Sequence, residues 1–546
     1  MTADIASLVS DNLDIWTTAV ERKSGAGRGG KRTHLYGIKR LRALILDLAV
    51  HGKLVSQHAG DEPAAALLPK MAAERQRRIK AGEMKNAKGP SKPSSEPFDL
   101  PSGWVWLPLG QTGNIFTGNS INAALRSELE TNGDGRPFVA TKDVGYGLDP
   151  IDYNNGLTVR LEDQRFNVAK SNSVFICAEG GSAGRKMAIS DLEISFGNKL
   201  IANEPWPQIE PRYILYTYLS DYFFDCFSME MTGIIGGISR AKFLALPFPL
   251  PPLAEQRRIV TKVDELMALC DTLERESANA LVAHQALVEE LLNTLVASEN
   301  ADACATNWAR LERHFDTLFA TEPSVDAFKA AIVELAVTGR LTTNGSGAFK
   351  RKSLRDLLVF GPKNGFSPRA VDHDTGIKSL SLSATTQGKF DGKHYKFVDI
   401  EMPDPESELW LKEGDILIQR ANSIEYVGVS ALYAGQDNQY IYPDLMMKLR
   451  FSNEVEARFG EICLNSNSIR DYFRANASGT SGSMPKINQT TVLNATLPVP
   501  TISEQRRIVA KVDELLALCD ALKLSTNDAA TTQKHLADAV VERAAA

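Results

Sequence analysis

Four polar loops hold the residue types in this sequence that are best suited to recognition chemistry. Two follow predicted strands at matching places, at 180–186 and 419–423, and two lie near the ends of globular segments, at 236–242 and 479–486. Arginine bonds the edge of guanine, asparagine and glutamine bond the edge of adenine, and backbone amides bond phosphate. The loops therefore predict contact with a nucleic acid, and their recurrence favours this over ordinary surface turns.

No common catalytic motif accompanies these loops. The sequence lacks the Asn/Asp-Pro-Pro-Tyr/Phe tetrapeptide of amino methylation, the HExxH zinc motif and the GxSxG nucleophile motif. Residues 180–186 resemble a phosphate loop, but the glycines are wrongly spaced and Met187 follows the lysine. Asp444 and Glu454 resemble a nuclease pair, but no Glu-x-Lys follows them. We therefore predict neither a catalytic residue nor a bound metal.

The composition excludes a disordered chain, a membrane protein and a disulfide scaffold. The 546 residues are 43% hydrophobic and 23% charged, and the six cysteines form no CxxC pair. No apolar run approaches the roughly 18 residues of a membrane span, and no secretory leader is evident, so a cytoplasmic location is expected. The length predicts three to four domains at about 150 residues each. The net charge of −6 leaves nucleic acid open, because local patches create the binding field.

Two segments of the first 100 residues are locally basic. Residues 22–42 hold eight lysines and arginines and no acid, and residues 70–92 hold eight against two glutamates. Both are explained equally by solvated surfaces and by contacts with a nucleic-acid backbone. The second segment lies in a stretch, 57–99, that one half of the chain has and the other lacks. Because residues 86–103 are rich in Pro, Ser and Gly, they predict a flexible connector.

Two pairs of segments show that the chain contains one plan twice. EQRRIVTKVDELMALCDTL (255–273) and EQRRIVAKVDELLALCDAL (504–522), which we call the long repeats, are identical at all but three positions. Upstream of each lies a short repeat, RALILDLAVHGKLV (42–55) or KAAIVELAVTGRLT (329–342). A weaker match aligns AKSNSVFI (169–176) with LKEGDILI (411–418). Each half is therefore a short repeat, a mixed globular domain and a long repeat.

The long repeats predict two rod-like helices with an apolar seam. The spacing is four and three residues, as in a helix that packs along another helix. The seam positions are Ile259, Val263, Leu266, Cys270 and Leu273, with Ile508, Val512, Leu515, Cys519 and Leu522 in the second copy. The same register predicts that Ala280, Leu287 and Leu291 continue the first seam to about residue 297, a helix of roughly 65 Å. Cys270 and Cys519 are accordingly expected to be buried small hydrophobes.

The repeats carry a resemblance to a known family. Together with PLPPLAEQRRIV (249–260), PVPTISEQRRIV (498–509), LKEGDILI and the loop from 479 to 488, they resemble the specificity (S) subunit of a type I restriction-modification enzyme. The resemblance covers nearly the whole chain from about residue 37. Residues 1–36 and 57–99 depart from the simplest form of the family.

The resemblance implies an α/β (α+β) protein with two target recognition domains, separated by two long antiparallel coiled-coil helices in a pseudo-twofold repeat. Each domain would recognise one half of a bipartite asymmetric DNA site, while the helices set the spacer and dock two modification (methyltransferase) subunits. Adenine methylation and ATP-dependent restriction would belong to the modification and restriction subunits. S-adenosylmethionine, ATP and magnesium would be bound by those partners, and this chain would be a non-catalytic subunit.

The repeats and the resemblance together predict domain boundaries and site residues. The expected divisions are 1–99 (an N-terminal helix and basic, partly flexible insertion), 100–252 (recognition domain 1), 253–298 (central spacer helix), 299–352 (linker and second short repeat), 353–500 (recognition domain 2) and 501–546 (distal spacer helix). The candidate DNA-binding residues are Lys142, Arg185, Lys186, Arg240, Lys242, Gln419, Arg420, Asn422, Ser423, Thr480, Ser483 and Lys486. The candidate subunit-docking residues are Arg257, Arg258, Lys262, Arg506, Arg507 and Lys511.

Two alternatives come from other classes of protein. A coiled-coil scaffold would use the helices for assembly and the domains to bind protein, whereas a self-contained nuclease or methyltransferase would act alone. Salt-dependent, sequence-selective DNA binding distinguishes the first alternative, and activity of the isolated chain distinguishes the second.

Overall fold

The computed structural model describes residues 5–23, 32–86, 89–131, 133–233, 236–342, 349–479 and 484–545. The chain divides into two compact units, one of residues 1–278 with 530–546 and one of residues 279–529. Both contain helices and sheets, so the expected mixed class is confirmed, as are the two long helices.

The first unit begins with short helices and the first short repeat. The elements are α1 (Ile5–Asp11), α2 (Leu13–Thr18), β1 (Val20–Lys23), β2 (Arg32–Leu35), α3 (Tyr36–Val50) and α4 (Leu67–Lys80). In α3, Ile38, Leu41, Ile45 and Leu48 are buried, and their spacing of three, four and three residues forms one apolar stripe. This stripe is the reason that the short repeat folds as a helix packed on its domain.

The first globular domain is built on short strands. Its elements are β3 (Val105–Pro108), β4 (Gly113–Thr117), α5 (Ala123–Thr131), β5 (Arg136–Val139), β6 (Thr158–Val159), β7 (Val168–Ala169), β8 (Val174–Cys177), β9 (Met187–Ile189), β10 (Ile194–Phe196), β11 (Leu200–Pro205), α6 (Pro211–Leu219), α7 (Asp221–Glu230), α8 (Arg240–Ala245) and β12 (Pro247–Leu250). Three sheets form, in the orders β4-β11-β8-β9, β6-β5-β10-β7 and β12-β3. Every residue of β8 is buried, which explains its continuous apolar run.

Helices then connect the first domain to the second short repeat. They are α9 (Leu253–Val296), α10 (Ala301–Glu312), α11 (Phe315–Leu318) and α12 (Glu322–Val337). Helix α12 begins at a capping box between Thr321 and Ser324 and carries the second short repeat.

The second domain and the last long helix complete the chain. The elements are β13 (Arg351–Ser353), α13 (Leu354–Leu357), β14 (Leu358–Asn364), β15 (Ala370–Val371), β16 (Lys378–Leu380), β17 (Tyr395–Val398), β18 (Ile416–Gln419), β19 (Ser430–Leu432), β20 (Tyr440–Ile441), β21 (Met446–Phe451), α14 (Ala457–Leu464), α15 (Asn467–Ala475), α16 (Gln489–Asn494), β22 (Thr496–Pro498) and α17 (Ile502–Ala545). Its sheets run β14-β21-β18-β19, β15-β17-β16-β20 and β13-β22.

The two domains share a sheet topology despite their different sequences. In each main sheet, the third strand in space, β8 or β18, pairs antiparallel with β11 or β21 on one side and with β9 or β19 on the other. The registers match as well, since Cys177 lies opposite Leu200 and Gln419 lies opposite Met446. The repeat therefore extends through the domains as well as the helices.

The apolar seam of α9 is confirmed in its first part and wrong in its second part. Ile259, Val263, Leu266 and Cys270 are buried and Leu273 is half-buried. Further along, Ala280 is exposed, Leu287 is 53% exposed and Leu291 is half-buried, whereas Val288, Leu292 and Leu295 are buried. Cys270 and Val288 are eighteen residues apart, which equals five turns of an ordinary helix with 3.6 residues per turn. The helix keeps this period, whereas the predicted seam assumed the 3.5-residue period of a supercoil.

Each unit also joins its short repeat to a long repeat through charges. In the first unit, Arg42 of α3 lies 2.5 Å from Asp271 and 2.6 Å from Glu274 of α9. In the second unit, Lys329 of α12, which matches Arg42, pairs with Asp520 of α17. The buried seam residues Ile508, Val512 and Cys519 belong to one core with Ile332 and Leu335 of α12.

The extra segment 57–99 is packed at several points, whereas its composition predicted a flexible connector for 86–103. Helix α4 lies within it, and Arg78 of that helix lies 5.1 Å from the Trp206 ring centroid. Further along, the Ser94 amide donates to Ala245 O at 2.8 Å, and the Phe98 ring lies 4.0 Å from the His51 ring. The segment is rich in Pro, Ser and Gly overall, but contacts of a few side chains with aromatic rings hold it against the rest of the first unit.

Candidate nucleic-acid interface

The polar loops predicted from the sequence meet in pairs. In the first domain, the loop after β8 bonds the loop before α8, through Gly180 N to Gly236 O at 2.9 Å and Ile238 N to Ala178 O at 3.0 Å. In the second domain, the loop after β18 bonds the loop before α16, through Ile487 N to Arg420 O at 2.9 Å. Backbone pairing across long sequence separations fixes each loop pair as one surface.

The two loop pairs are held by equivalent glycines. Gly184 has φ +70° and Gly428 has φ +80°, in the left-handed region that favours glycine. A Cβ on Gly184 would lie 2.7 Å from Phe227, and one on Gly428 would lie 2.6 Å from Phe473. The loop of each domain therefore turns on a glycine that packs against an aromatic ring of α7 or α15.

In the first domain, the structure brings together three of the predicted side chains. Lys186 donates from Nζ to Thr141 O at 3.2 Å, beside Lys142, whose side chain is 59% exposed. Arg185 is exposed, with its guanidinium carbon 5.3 Å from the Phe224 ring centroid. Lys142 and Arg185 are exposed and Lys186 is half-buried, and Lys142 lies 3.9 Å from Asp143. The three cations form a basic surface beside the loop, which is suited to a phosphate backbone.

Two further predicted residues of this domain are engaged locally. Arg240 donates to Ile115 O at 2.7 Å from the first position of α8. Lys242 lies 3.1 Å from Glu230, so that its charge is partly balanced by this carboxylate. Both residues lie at the loop before α8, and their side chains bond other residues of the same domain.

In the second domain, Gln419 does not fit the role predicted for it. Its side chain is fully buried, and its amide nitrogen donates to Leu382 O, Thr385 Oγ1 and Thr386 Oγ1 at 2.9 to 3.1 Å. Asn422 in turn donates to Gln419 Oε1 at 2.7 Å, and accepts from Ser423 N at 2.7 Å. Because its polar groups are already satisfied, the Gln419 amide supports the loop and presents no free group to a base, whereas Asn422 is half-exposed beside it.

The remaining predicted residues of this loop pair are more accessible. Arg420 is half-buried and uses one nitrogen to bond Asp444 O at 3.3 Å. Ser423 and Lys486 are exposed, and Lys486 pairs through its backbone with Ala421 and Ser478. Thr480 and Ser483 lie outside the described residues.

The predicted docking residues differ between the two long helices. Arg257 bonds Glu210 at 2.7 Å, and Arg258 bonds Asp61 of the extra segment at 2.6 Å. Arg507, which matches Arg258, pairs with Glu504 of its own helix and is 52% exposed, against 29% for Arg258. Lys262 lies 3.2 Å from Glu265, Lys511 lies 2.9 Å from Glu514, and Arg506 is exposed.

The predicted burial of the repeated cysteines is confirmed. Cys270 is 1% exposed and Cys519 is 3% exposed, and burial raises the pKa of each thiol to about 11. Over the part of the chain that the structure describes, no three His, Cys, Asp or Glu side chains are grouped to hold a metal ion. Within the same residues, no helix is both long and apolar enough to span a bilayer.

Sequence reasoning missed one segment of the first interface. The loop from 144 to 149 joins the loop after β8, because Tyr146 forms a backbone bridge with Lys186. The signal was a tyrosine between two glycines, Gly145 and Gly147, which is typical of a turn at the tip of a loop.

Comparisons with known proteins agree on one family. Residues 101–283 match the type I restriction modification DNA specificity domain. The chain is 33% identical to the type I restriction enzyme EcoAI specificity subunit and 31% identical to the EcoEI one, both from Escherichia coli, over 99% of each chain. A solved structure from work on complex assembly and conformational transition of the type I R-M system has a TM-score of 0.52 at 17% identity, covering 82% of this chain and 99% of that one.

Proposed function

Because the chain belongs to the type I restriction enzyme specificity subunits, the non-catalytic DNA-recognition components of restriction-modification complexes, we propose that its two domains recognise the two halves of one bipartite, asymmetric DNA site. The first domain would bind one half with the loops after β8 and before α8. The second would bind the other half with the loops after β18 and before α16. This assigns sequence recognition to loops on a common sheet scaffold.

One observation carries this proposal: the same pair of loops occurs at the same place in both domains, with different residues. In the first domain, Arg185 and Lys186 supply cations on these loops, and in the second Arg420, Ser423 and Lys486 occupy the matching surface. A shared backbone with divergent exposed side chains is suited to two readers of different sequences. Arginine and lysine supply both phosphate contacts and contacts to guanine edges.

The long helices α9 and α17 would set the distance between the two half-sites and dock two modification subunits. The division of the chain into compact units supports an antiparallel arrangement, since the first unit contains the start of α9 and the end of α17. Restriction subunits would complete the complex in the cytoplasm. S-adenosylmethionine, ATP and magnesium would be bound by the modification and restriction subunits, and methylation would fall on adenine.

Methylation mapping tests the recognition proposal. The full chain would be expressed with its modification subunits in cells that lack other adenine methyltransferases, and methylated adenines would be mapped across the genome. We expect one motif of two defined halves separated by an undefined spacer. A continuous motif, or no dependence of methylation on this chain, would contradict the proposal.

Lengthening a long helix tests its role in spacing. Inserting one helical turn adds about 5.4 Å, which should lengthen the undefined spacer by about one to two base pairs and leave both half-site sequences unchanged. Replacing four residues of the same turn by alanine, without insertion, is the matched control. An unchanged spacer in a folded, active insertion variant would show that these helices do not set the distance.

A further inference from the structure

Among the described phenylalanine, tyrosine and tryptophan residues, Tyr146 is the most exposed, at 55%. It lies in the loop that follows β5, between Gly145 and Gly147. Gly147 has φ +63°, and a Cβ on Gly145 would lie 2.3 Å from Asp149. The two glycines therefore permit a tight turn that places the tyrosine ring at the tip of the loop.

The tyrosine is held against the loop after β8. Its backbone bridges to Lys186, and Lys186 Nζ lies 5.2 Å from the centroid of the tyrosine ring. Its hydroxyl lies 3.3 Å from Ser182 Oγ. A cation on the ring and a bonded hydroxyl give the side chain a defined direction, while much of the ring remains in solvent.

The surroundings of the ring combine apolar and cationic groups. Leu148, two residues away, is 45% exposed, and the exposed cations of the same surface are Lys142 and Arg185. Leaving apolar surface in water is unfavourable, and contact with a partner would remove this cost. Beside cations that suit phosphates, the partner group that an apolar edge recognises in the major groove is the 5-methyl group of thymine.

We propose that Tyr146 is a specificity-determining residue, and that its ring contacts a thymine within the half-site recognised by the first domain. This assignment rests on the proposed function of the first domain, and it adds one residue, Tyr146, and the base that the residue contacts. The ring makes the contact, because the hydroxyl is engaged by Ser182. A phosphate bond from the hydroxyl is the competing arrangement, and it would carry no sequence information.

Three substitutions at this position separate the two arrangements. In the methylation assay with the full chain and its modification subunits, Y146A and Y146L should each lower the preference for thymine at one position of one half-site by about tenfold. Y146F keeps the ring and should leave the motif unchanged. The second half-site should not change in any variant. L161A, which removes a 67% exposed side chain outside the two loops of the same domain, is the matched control.

Two results for these variants would overturn the proposed contact between Tyr146 and a thymine. An unchanged motif for Y146L overturns the proposal, including the case in which Y146A fails to fold. A uniform loss of methylation across all sequences for Y146F, equal to that of Y146A, also overturns it in favour of a phosphate contact. If the unsubstituted chain itself gives no bipartite motif, the proposed function fails, and this result is distinct from a failure of Tyr146 alone.

Discussion

At equivalent positions of their main sheets, the two domains carry side chains of opposite charge. Glu204 near the end of β11 bonds Asn114 at 3.1 Å and lies 3.5 Å from Arg78 of the extra segment. The matching residue in β21 is Arg450, which lies 2.6 Å from the fully buried Asp415. In each domain the charge has local partners, so the sheet tolerates a reversal of sign. The shared fold therefore depends on the apolar strand pattern, and each charge only on its own neighbours.

The extra segment gives the first half a further difference. Asp61 of the extra segment forms an ion pair with Arg258 at the start of α9. The matching Arg507 of α17 pairs with Glu504 of its own helix, and no such segment covers it among the described residues. The two long repeats are nearly identical in sequence but are not equally accessible. A modification subunit that docks at both starts would therefore meet two different surroundings.

The equivalent glycines should give the largest effects, and the same effect in both halves. We expect G184A and G428A each to lower the free energy of unfolding by about 3 kcal/mol, because left-handed strain adds to the overlap with Phe227 or Phe473. G414A is the control, since Gly414 has φ +83° with no atom near its added Cβ, and should cost about 1 kcal/mol. Chemical denaturation measures all three. If G184A and G428A differ widely, the loops are not held equivalently.

A carboxyl group in the first short repeat, that of Asp47, should make the stability of the first half depend on pH. Burial, and then the Asp221 carboxylate, raise the pKa of Asp47 from 3.8 to about 6. The matching Glu334 accepts from Ser468 N at 3.0 Å, next to the neutral Asn467. Because the folded chain holds the Asp47 proton more tightly than the unfolded chain, stability should fall as the pH rises from about 4 to 6.

Substitution of Asp47 tests this assignment. D47N should remove that fall and raise the free energy of unfolding at pH 7 by about 2–3 kcal/mol relative to the unsubstituted chain. D221N should move the fall to lower pH, because it removes a neighbouring negative charge. Thermal unfolding followed between pH 4 and 8 provides the measurement. A D47N profile that parallels the unsubstituted one would show that Asp47 titrates normally.

The arginines of the loops after β8 and β18 should affect one half-site each. R420A should relax a base preference in the half-site of the second domain by about 1–3 kcal/mol, and R185A should do so only in the half-site of the first. R474A, which removes an arginine paired with Asp471 on α15 of the second domain, should leave the motif unchanged. Methylation mapping reports all three motifs. Changes in both half-sites from one substitution would argue against independent domains.

The ion pairs between short and long repeats should give the smallest effects. D271N and D520N should each lower the free energy of unfolding by about 0.5 kcal/mol, because both carboxylates are largely exposed. The loss should disappear at about 1 M salt, where the Debye length is about 3 Å. Denaturation at low and high salt measures the difference, and a loss that persists at high salt would indicate that the pair acts through packing.

The sequence by itself determined the twofold plan, the long helices, the positions of the polar loops and the family. These features are local or repeated in the chain: apolar residues spaced by four and three positions and two near-identical segments. The burial of Cys270 and Cys519 followed from the same spacing. Such signals need no knowledge of which distant segments meet.

Only the tertiary structure decided which polar residues remain available. The Gln419 amide is hydrogen-bonded to Thr385 and Thr386, which lie more than thirty residues earlier in the chain. Arg258 is hydrogen-bonded to Asp61, which lies almost two hundred residues earlier. On α9, Val288 is buried in place of the predicted Leu287, and Val288, Leu292 and Leu295 belong to the core of the second unit. Hydrogen-bond partners and core neighbours are set by segments far away in the chain, and the residue types alone do not encode them.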